Sequence, residues 1–373
     1  MRVAFVSTVH GHTWPASELL WSSTASRLIE QGHQVYVRCS EDFEQAKTLR
    51  SLIRRGLIYE RVTAVSSRTK RLKALFIDPM AKLRSWNADV VVVSAGSAFD
   101  ISYDYSLLQY LLDTQAPFIP ICHFNAETFL VDGLNRIAMK HIYERAAMSV
   151  FVSKSIHQIT ERQLAKSIDN VRVLRPPLPV QIEEPLPWPE PAGDSWNLAC
   201  VARLEPRWKG QDVLFEVFSK PEWHNRNWQL NLYGEGRDHN YLRSLANFYG
   251  IENKINFRGF VEDRLTIWRN NHLQVLSARG EGGPMVLTEG MICGRPVVIT
   301  DCGNVKEYVN DGDEGFIADF ATPKIFSLAM ERAWAVRDQW KDMGLRAHMK
   351  IMAARSNSDC GVQLLEIIKE VAR

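Results

Sequence analysis

The sequence predicts an α/β protein made of two doubly wound parallel-sheet domains, and three observations predict it. Short β-branched apolar runs alternate with longer helical patterns along all 373 residues. Those runs are continuous rather than alternating in polarity, so their strands are buried on both faces, as in a parallel sheet covered by helices. The length exceeds what a single core usually supports, and a proline-rich stretch separates two comparable halves.

The first run, VAFVST (3–8), follows Met1-Arg2. A secretory signal would need a longer apolar core and a small-residue cleavage site, so a buried first strand explains it better. SELLWSSTASRLIEQGH (17–33) reads as the following helix, stopped at Gly32. QVYVRC (34–39), DVVVVSAG (89–96), FIPICH (118–123) and SVFVS (149–153) continue the first sheet. Residues 174–196 then hold seven of the 16 prolines, a composition suited to a stiff extended connector. NLACVA (197–202), LNLYG (230–234), KINFRG (254–259), LQVLSA (273–278) and VVIT (297–300) supply a second sheet. The expected boundaries are a first domain at 1–180, a linker at 181–196, a second domain at 197–355 and a terminal helix at 356–373. A cleft is expected between the domains. Ligands of such sheets bind beyond the carboxyl ends of strands, so the loops after strands are where chemistry is sought.

Composition narrows the class. The chain is 46% hydrophobic and 24% charged with a net charge of +2, which argues against a nucleic acid or other polyanionic partner. Six scattered cysteines form no CxxC and no clustered Cys/His spacing, so neither a zinc site nor a disulfide framework is expected, and a reducing cytosol fits best. No stretch approaches 18 uninterrupted apolar residues, so no spanning helix is expected. Residues 47–84 nonetheless hold eleven Lys/Arg against two acids, interleaved with Leu49, Leu52, Ile53, Leu57, Leu72, Leu75 and Phe76. Such a segment can dock on anionic headgroups; a solvated basic helical face, or one that takes an anionic soluble acceptor, is the alternative.

Three stretches carry candidate chemistry. RGEGGPMVLTEG (279–290) follows a strand, with Pro284 suited to a first helical residue and Gly294 to the left-handed stop. Free amides at that helix mouth suit a phosphate or sugar oxygen. Glu281 and Glu289, as ionised acceptors, suit vicinal hydroxyls. A solvated Glu281 and a salt-bridged Glu289 fit the same residues equally well. VARLEPRWKGQD (201–212) places Arg203 and Lys209 after another strand, as a diphosphate clamp or as ordinary surface charge. LNLYGEGRD (230–238) offers Gly234 and Gly236, as a close backbone approach to a ligand or as a simple turn, without the third glycine of a dinucleotide fingerprint.

Together these pieces and their order resemble the retaining glycosyltransferase family 4, of GT-B architecture. The matching pieces are ARLEPRWKGQD, LYGEG, INFRG, EGGPMVLTEGMICGRPVV and DCGNVKEYVNDGDEGF, spanning about Asn197 to Asp319. The amino-terminal half resembles the family less closely. The resemblance implies an acceptor-binding first domain, a donor-binding second domain and a terminal helix that crosses back to the first. It implies that Arg203 and Lys209 neutralise the donor diphosphate, that Glu289 holds the ribose diol and that Glu281 binds hydroxyls of the transferred sugar. Amides of Gly283 and Met285 would approach the sugar or distal phosphate, Gly234 and Gly236 would admit the nucleotide, and Phe260 and Val261 would lie against the base. His123 in PICHFNAE resembles the family's histidine near the anomeric centre, though a satisfied histidine at a strand end is the plain alternative. The family often has Gly-Gly before its first helix; here Pro15-Ala16 stands in that place, so no phosphate role is carried there. His10, Gly11, His12 and Glu18 could instead shape an acceptor pocket.

The implied reaction is metal-independent and cofactor-free transfer of a hexosyl group, with retention, from a nucleotide sugar, a UDP-sugar first and a GDP-sugar as the alternative, to a glycan, lipid-linked or small-molecule hydroxyl. The leaving diphosphate would deprotonate the acceptor, and catalysis would be positioning plus charge stabilisation. Asp311-Gly312-Asp313 mimics a metal-binding DxD but reads better as a turn. The expected location is the cytoplasm, with the inner face of the membrane as an option through 47–84. A nucleotide-sugar epimerase and a non-catalytic nucleotide-sugar binder on the same architecture are the alternatives.

Overall fold

The computed structural model describes residues 1–11, 14–63, 78–175, 180–190, 195–283, 285–354 and 359–373. The chain forms two compact units, Met1–Pro177 with Asn357–Arg373, and Leu178–Ser356.

In the first unit seven strands form one parallel sheet: β1 (Arg2–Ser7), β2 (Gln34–Ser40), β3 (Ile58–Val62), β4 (Val90–Ala95), β5 (Phe118–Cys122), β6 (Ser149–Phe151) and β7 (Val171–Val173). Their spatial order is β3-β2-β1-β4-β5-β6-β7. The central strand β4 shows why the runs are continuously apolar. Val91, Val93 and Ala95 enter one core cluster, while Val90 and Val92 enter the cluster on the opposite face.

The second unit repeats the plan with six parallel strands: β8 (Trp196–Val201), β9 (Trp228–Tyr233), β10 (Ile255–Gly259), β11 (Leu273–Leu276), β12 (Val297–Thr300) and β13 (Gly315–Ala318). Their order is β10-β9-β8-β11-β12-β13. Here Val297 and Ile299 face one cluster and Val298 the other. Both orders reverse beside the first strand of their unit, the place where doubly wound sheets open to a ligand. Each unit is thus a doubly wound, Rossmann-like parallel-sheet domain, as expected.

Three strands lie outside the sequence expectation, β3, β7 and β13, and each is a sheet edge. β3 and β7 are poorly buried edge strands, so IYERV and VRV carry polar residues and show no apolar run, whereas β13 is buried but only four residues long.

The helix Cys360–Val371 belongs to the first unit and packs on the helix Glu18–Glu30. Leu364, Leu365, Ile367 and Ile368 join the core cluster of β1 and β2. Thr24 Oγ1 donates to the Gly361 carbonyl at 3.2 Å, and Arg27 pairs with Asp359 at 3.0 Å.

The described residues 180–190 of the proline-rich stretch belong to the second unit. Val180, Ile182 and Leu186 pack against its core. The buried guanidinium of Arg295 donates to the carbonyls of Pro187 (2.7 Å), Trp268 (2.8 Å) and Cys293 (2.9 Å), which ties residues 186–188 down. Burial pushes that guanidinium down to about 10. The basic segment also differs from expectation. Leu49, Leu52 and Leu57 are core residues, so the helix Lys47–Arg54 turns its apolar face inward. Arg55 and Arg61 pair with Glu30 and Glu44. Residues 64–77, with Leu72, Leu75 and Phe76, lie outside the described residues.

Candidate functional site

The carboxyl ends of β8, β9 and β11 bring most of the candidate residues of the second unit into neighbouring loops. Gly234 and Gly236 act on the chain itself. A Cβ at Gly234 would lie 2.2 Å from the Ala202 carbonyl oxygen, and one at Gly236 would lie 2.3 Å from that of Leu204. The amides of Ala202 and Leu204 donate to the carbonyls of Tyr233 and Glu235, at 2.9 and 3.0 Å. On their Cβ side both glycines therefore press on the 202–204 backbone, which holds the loop that carries Arg203. Arg203 is half-exposed, with Nη1 3.2 Å from Glu205 Oε2, and its carbonyl accepts from Gln211 Nε2 at 2.7 Å.

Lys209 ends the short helix Pro206–Lys209. The next residue, Gly210, has φ of 65°, and a Cβ there would lie 1.9 Å from the Ser277 carbonyl oxygen. Only glycine lets this turn press on the end of β11. Arg279 locks the two loops together through paired bonds of 2.7 Å to Asp212 and one of 2.6 Å to the Pro206 carbonyl. Lys209 Nζ then meets Glu281 Oε1 at 2.5 Å, both side chains being largely buried. The expected diphosphate cation and the expected sugar carboxylate thus neutralise each other.

Gly282 and Gly283 precede the helix Met285–Ile292, which ends one residue earlier than the sequence suggests; Pro284 lies outside the described residues. Glu289 sits inside this helix and is 1% exposed. Its Oε2 accepts from Arg264 Nη1 at 2.6 Å and its Oε1 from Trp268 Nε1 at 2.9 Å. A diol would have to share or displace the half-exposed Arg264, a partner that no sequence periodicity pointed to. Phe260, after β10, is 72% exposed and available to an aromatic ligand, whereas Val261 packs toward the core. After β12, Gly303 presses on the Glu281–Gly282 turn, where a Cβ would lie 2.7 Å from the Glu281 carbonyl oxygen.

The first unit holds the remaining candidates. His123 follows β5; its Nε2 lies 3.1 Å from Ser94 Oγ, and burial pushes its imidazole down to about 4, so it is neutral at pH 7. Asp100 accepts from Thr8 Oγ1 at 3.0 Å and from the Ser97 amide at 2.9 Å nearby, a cluster the sequence reading passed over. Glu18 is fully buried, with Trp21 Nε1 donating to Oε2 at 2.7 Å and Ser17 Oγ to Oε1 at 3.0 Å. Burial raises its carboxyl to about 7. Such a carboxyl is an interior group, out of reach of an acceptor. His10 is exposed, and His12 lies outside the described residues.

Among the described residues no group of His, Cys, Asp or Glu is arranged to hold a metal ion, and no helix is long and apolar enough to cross a membrane. Asp311 and Asp313 pair with Arg332 and Arg346 instead of converging.

Residues 196–335 match the family described as glycosyl transferases group 1. Mannosylfructose-phosphate synthase of Agrobacterium fabrum is 33% identical over 121 residues, 30% of this chain and 27% of that protein. The lipopolysaccharide core biosynthesis glycosyltransferase LpsE of Rhizobium meliloti is 26% identical over 139 residues, 36% of this chain and 41% of that protein. The chain spans less than half the length of the curated relatives it matches. HepE of Anabaena, solved in complex with UDP-glucose, shares the fold with a TM-score of 0.74 at 15% identity, covering 99% of this chain and 100% of that one.

Proposed function

We propose that this chain, whose residues 196–335 match the group 1 glycosyltransferase family, transfers a hexosyl group with retention from a UDP-sugar to a hydroxyl of a glycan or lipid-linked acceptor. The observation that carries the reading is the contact of Lys209 with Glu281 beside the Gly282–Gly283 turn, with Arg203 on the adjoining strand end. Two cations and the amino end of an eight-residue helix meet the charge that grows on a departing diphosphate without a metal. Donor binding opens the Lys209–Glu281 pair. The ammonium moves to phosphate oxygens, and the carboxylate accepts from sugar hydroxyls. Glu289, held by Arg264 and Trp268, faces the ribose, and Phe260 lies against the base. The leaving diphosphate takes the acceptor proton on the same face, so no protein base is required.

HepE, solved with UDP-glucose, supports a uridine donor, and LpsE, with its lipopolysaccharide core assignment, supports a glycan acceptor. The acceptor is assigned to the first unit, at the strand ends that carry His10, Ser94 and His123. Work at a cytoplasmic membrane surface remains part of the proposal through the segment 47–84, although its apolar contribution is reduced to residues other than Leu49, Leu52 and Leu57.

Nucleotide release from UDP-glucose, UDP-galactose and GDP-mannose, with and without acceptor extracts, tests the reading. Acceptor-stimulated UDP release with an α-linked product supports it. No release from any nucleotide sugar removes the transferase assignment, and release as an interconverted nucleotide sugar would favour an epimerase.

A further inference from the structure

Asn304 stands directly before the helix Val305–Tyr308, where an asparagine normally accepts a hydrogen bond from a free amide of the first turn. Its side chain makes no such bond. The residue is 3% exposed, and its Oδ1 has no hydrogen-bond partner among the described residues. A buried amide oxygen in that condition is uncommon, because nothing replaces the water it gave up.

The carboxamide lies against the glycine turn. A Cβ built at Gly283 would be 3.4 Å from Asn304 Nδ2 and 3.6 Å from its Oδ1. Gly303 presses the same loop onto that turn, and Glu281, at its start, carries the carboxylate that meets Lys209. Two independent observations therefore coincide: an acceptor atom without a donor, and a side chain that forgoes its cap to lie beside a turn that has no side chains of its own. An orphan acceptor needs a donor. A phosphate oxygen only accepts, whereas a sugar hydroxyl donates and accepts, and so matches both ends of a carboxamide.

We infer that Asn304 is a further specificity-determining residue, whose carboxamide hydrogen-bonds a hydroxyl of the transferred sugar seated on the Gly282–Gly283 turn. This rests on the donor reading above. It assigns recognition of the sugar to two side chains, Glu281 and Asn304, from the loops after β11 and β12.

The test measures binding of UDP, UDP-glucose and UDP-galactose, with GDP and GDP-mannose alongside, by titration calorimetry on wild type, Asn304→Ala and Asn304→Ser. Serine can cap the 305–308 helix yet is too short to reach the turn, so it separates folding from recognition. The expected result is a loss of about tenfold in affinity for the favoured nucleotide sugar in both variants, the size of one hydrogen bond, with the matching nucleoside diphosphate within about twofold of wild type. Equal losses for nucleotide and nucleotide sugar would overturn the inference, because Asn304 would then support only the loop or the phosphate. Unchanged affinity for both would overturn it as well. If wild type binds no nucleotide and no nucleotide sugar, the donor reading itself fails; if it binds them and the variants do not discriminate, only the role of Asn304 fails.

Discussion

Lys209 Nζ lies 2.5 Å from Glu281 Oε1, joining the loops that follow β8 and β11. Both groups are largely buried, and breaking such a pair from one side strands the other charge. Lys209→Met and Glu281→Gln are each expected to lower stability by about 1–3 kcal/mol, with the double substitution costing less than the sum. Chemical denaturation of the four proteins measures the coupling. On donor turnover each single variant should lose roughly 100-fold or more in kcat/KM, since each removes a group that faces charge or hydroxyls only when the pair opens.

The 202–204 backbone lies so close to Gly236 that a methyl group there would sit 2.3 Å from the Leu204 carbonyl oxygen. Gly236→Ala must push the Arg203 loop away. A loss of about 2–4 kcal/mol is expected, together with weaker nucleotide binding, although the substituted atom need not touch ligand. A variant of wild-type stability and affinity would show that the loops are not zipped as described.

Glu289 is 1% exposed, and among the described residues Arg264 is its one charged partner. Arg264→Ala leaves an interior carboxylate that still accepts from the indole of Trp268. The expected cost is about 2–4 kcal/mol, recovered in part by Arg264→Ala combined with Glu289→Gln, because the second change removes the stranded charge. Thermal melts of the three variants decide this. No recovery in the double variant would mean that the pair contributes packing rather than charge.

How much of this was legible follows from which residues the local pattern constrains. Strands buried on both faces announce themselves, and β4 and β12 were read nearly to the residue. The edge strands β3 and β7 were hidden because they have one solvent-facing side. Glycines after strands were visible, but not what fills the space beside them: Gly234 and Gly236 face the 202–204 backbone, which only the β8–β9 pairing brings there. Partners were hidden for the same reason. Arg264 and Glu289 are 25 residues apart and meet through the packing of two helices, a relationship with no spacing to read. The proline run was visible as extended chain, while its attachment depends on one buried arginine, Arg295, more than 100 residues away.

Glu18 gives a pH dependence of definite sign. Burial raises its carboxyl from 4.5 to about 7. In the unfolded chain it ionises near 4.5, so between those values the folded protein binds the extra proton. Stability that is fully present below about pH 4.5 is lost as pH rises through about 7, by roughly 3 kcal/mol at most. Glu18→Gln, which keeps an acceptor for Trp21 Nε1, should flatten that part of the curve and melt higher than wild type at pH 8. Melting temperature against pH for the two proteins measures it. Parallel curves between pH 4.5 and 8 would sink the assignment.

The first unit is assembled from two chain segments, which makes it dependent on the far end of the sequence. Removing residues 357–373 deletes Leu364, Leu365, Ile367 and Ile368 from the core beneath the helix Glu18–Glu30, and with them the pairing of Asp359 to Arg27. At about 1.5–3 kcal/mol for each buried aliphatic side chain, the loss is on the order of the whole stability of a domain of this size. The second unit draws its core from 178–356 alone. The truncated chain should therefore lose the cooperative melt of the first unit while residues 178–356 keep a melt of their own. That remaining melt should shift upward with UDP if the donor site is formed by the second unit's own residues. Limited proteolysis followed by mass analysis reads which half survives. A truncated chain in which both halves resist digestion as wild type does would show that the terminal helix is dispensable to the core it covers.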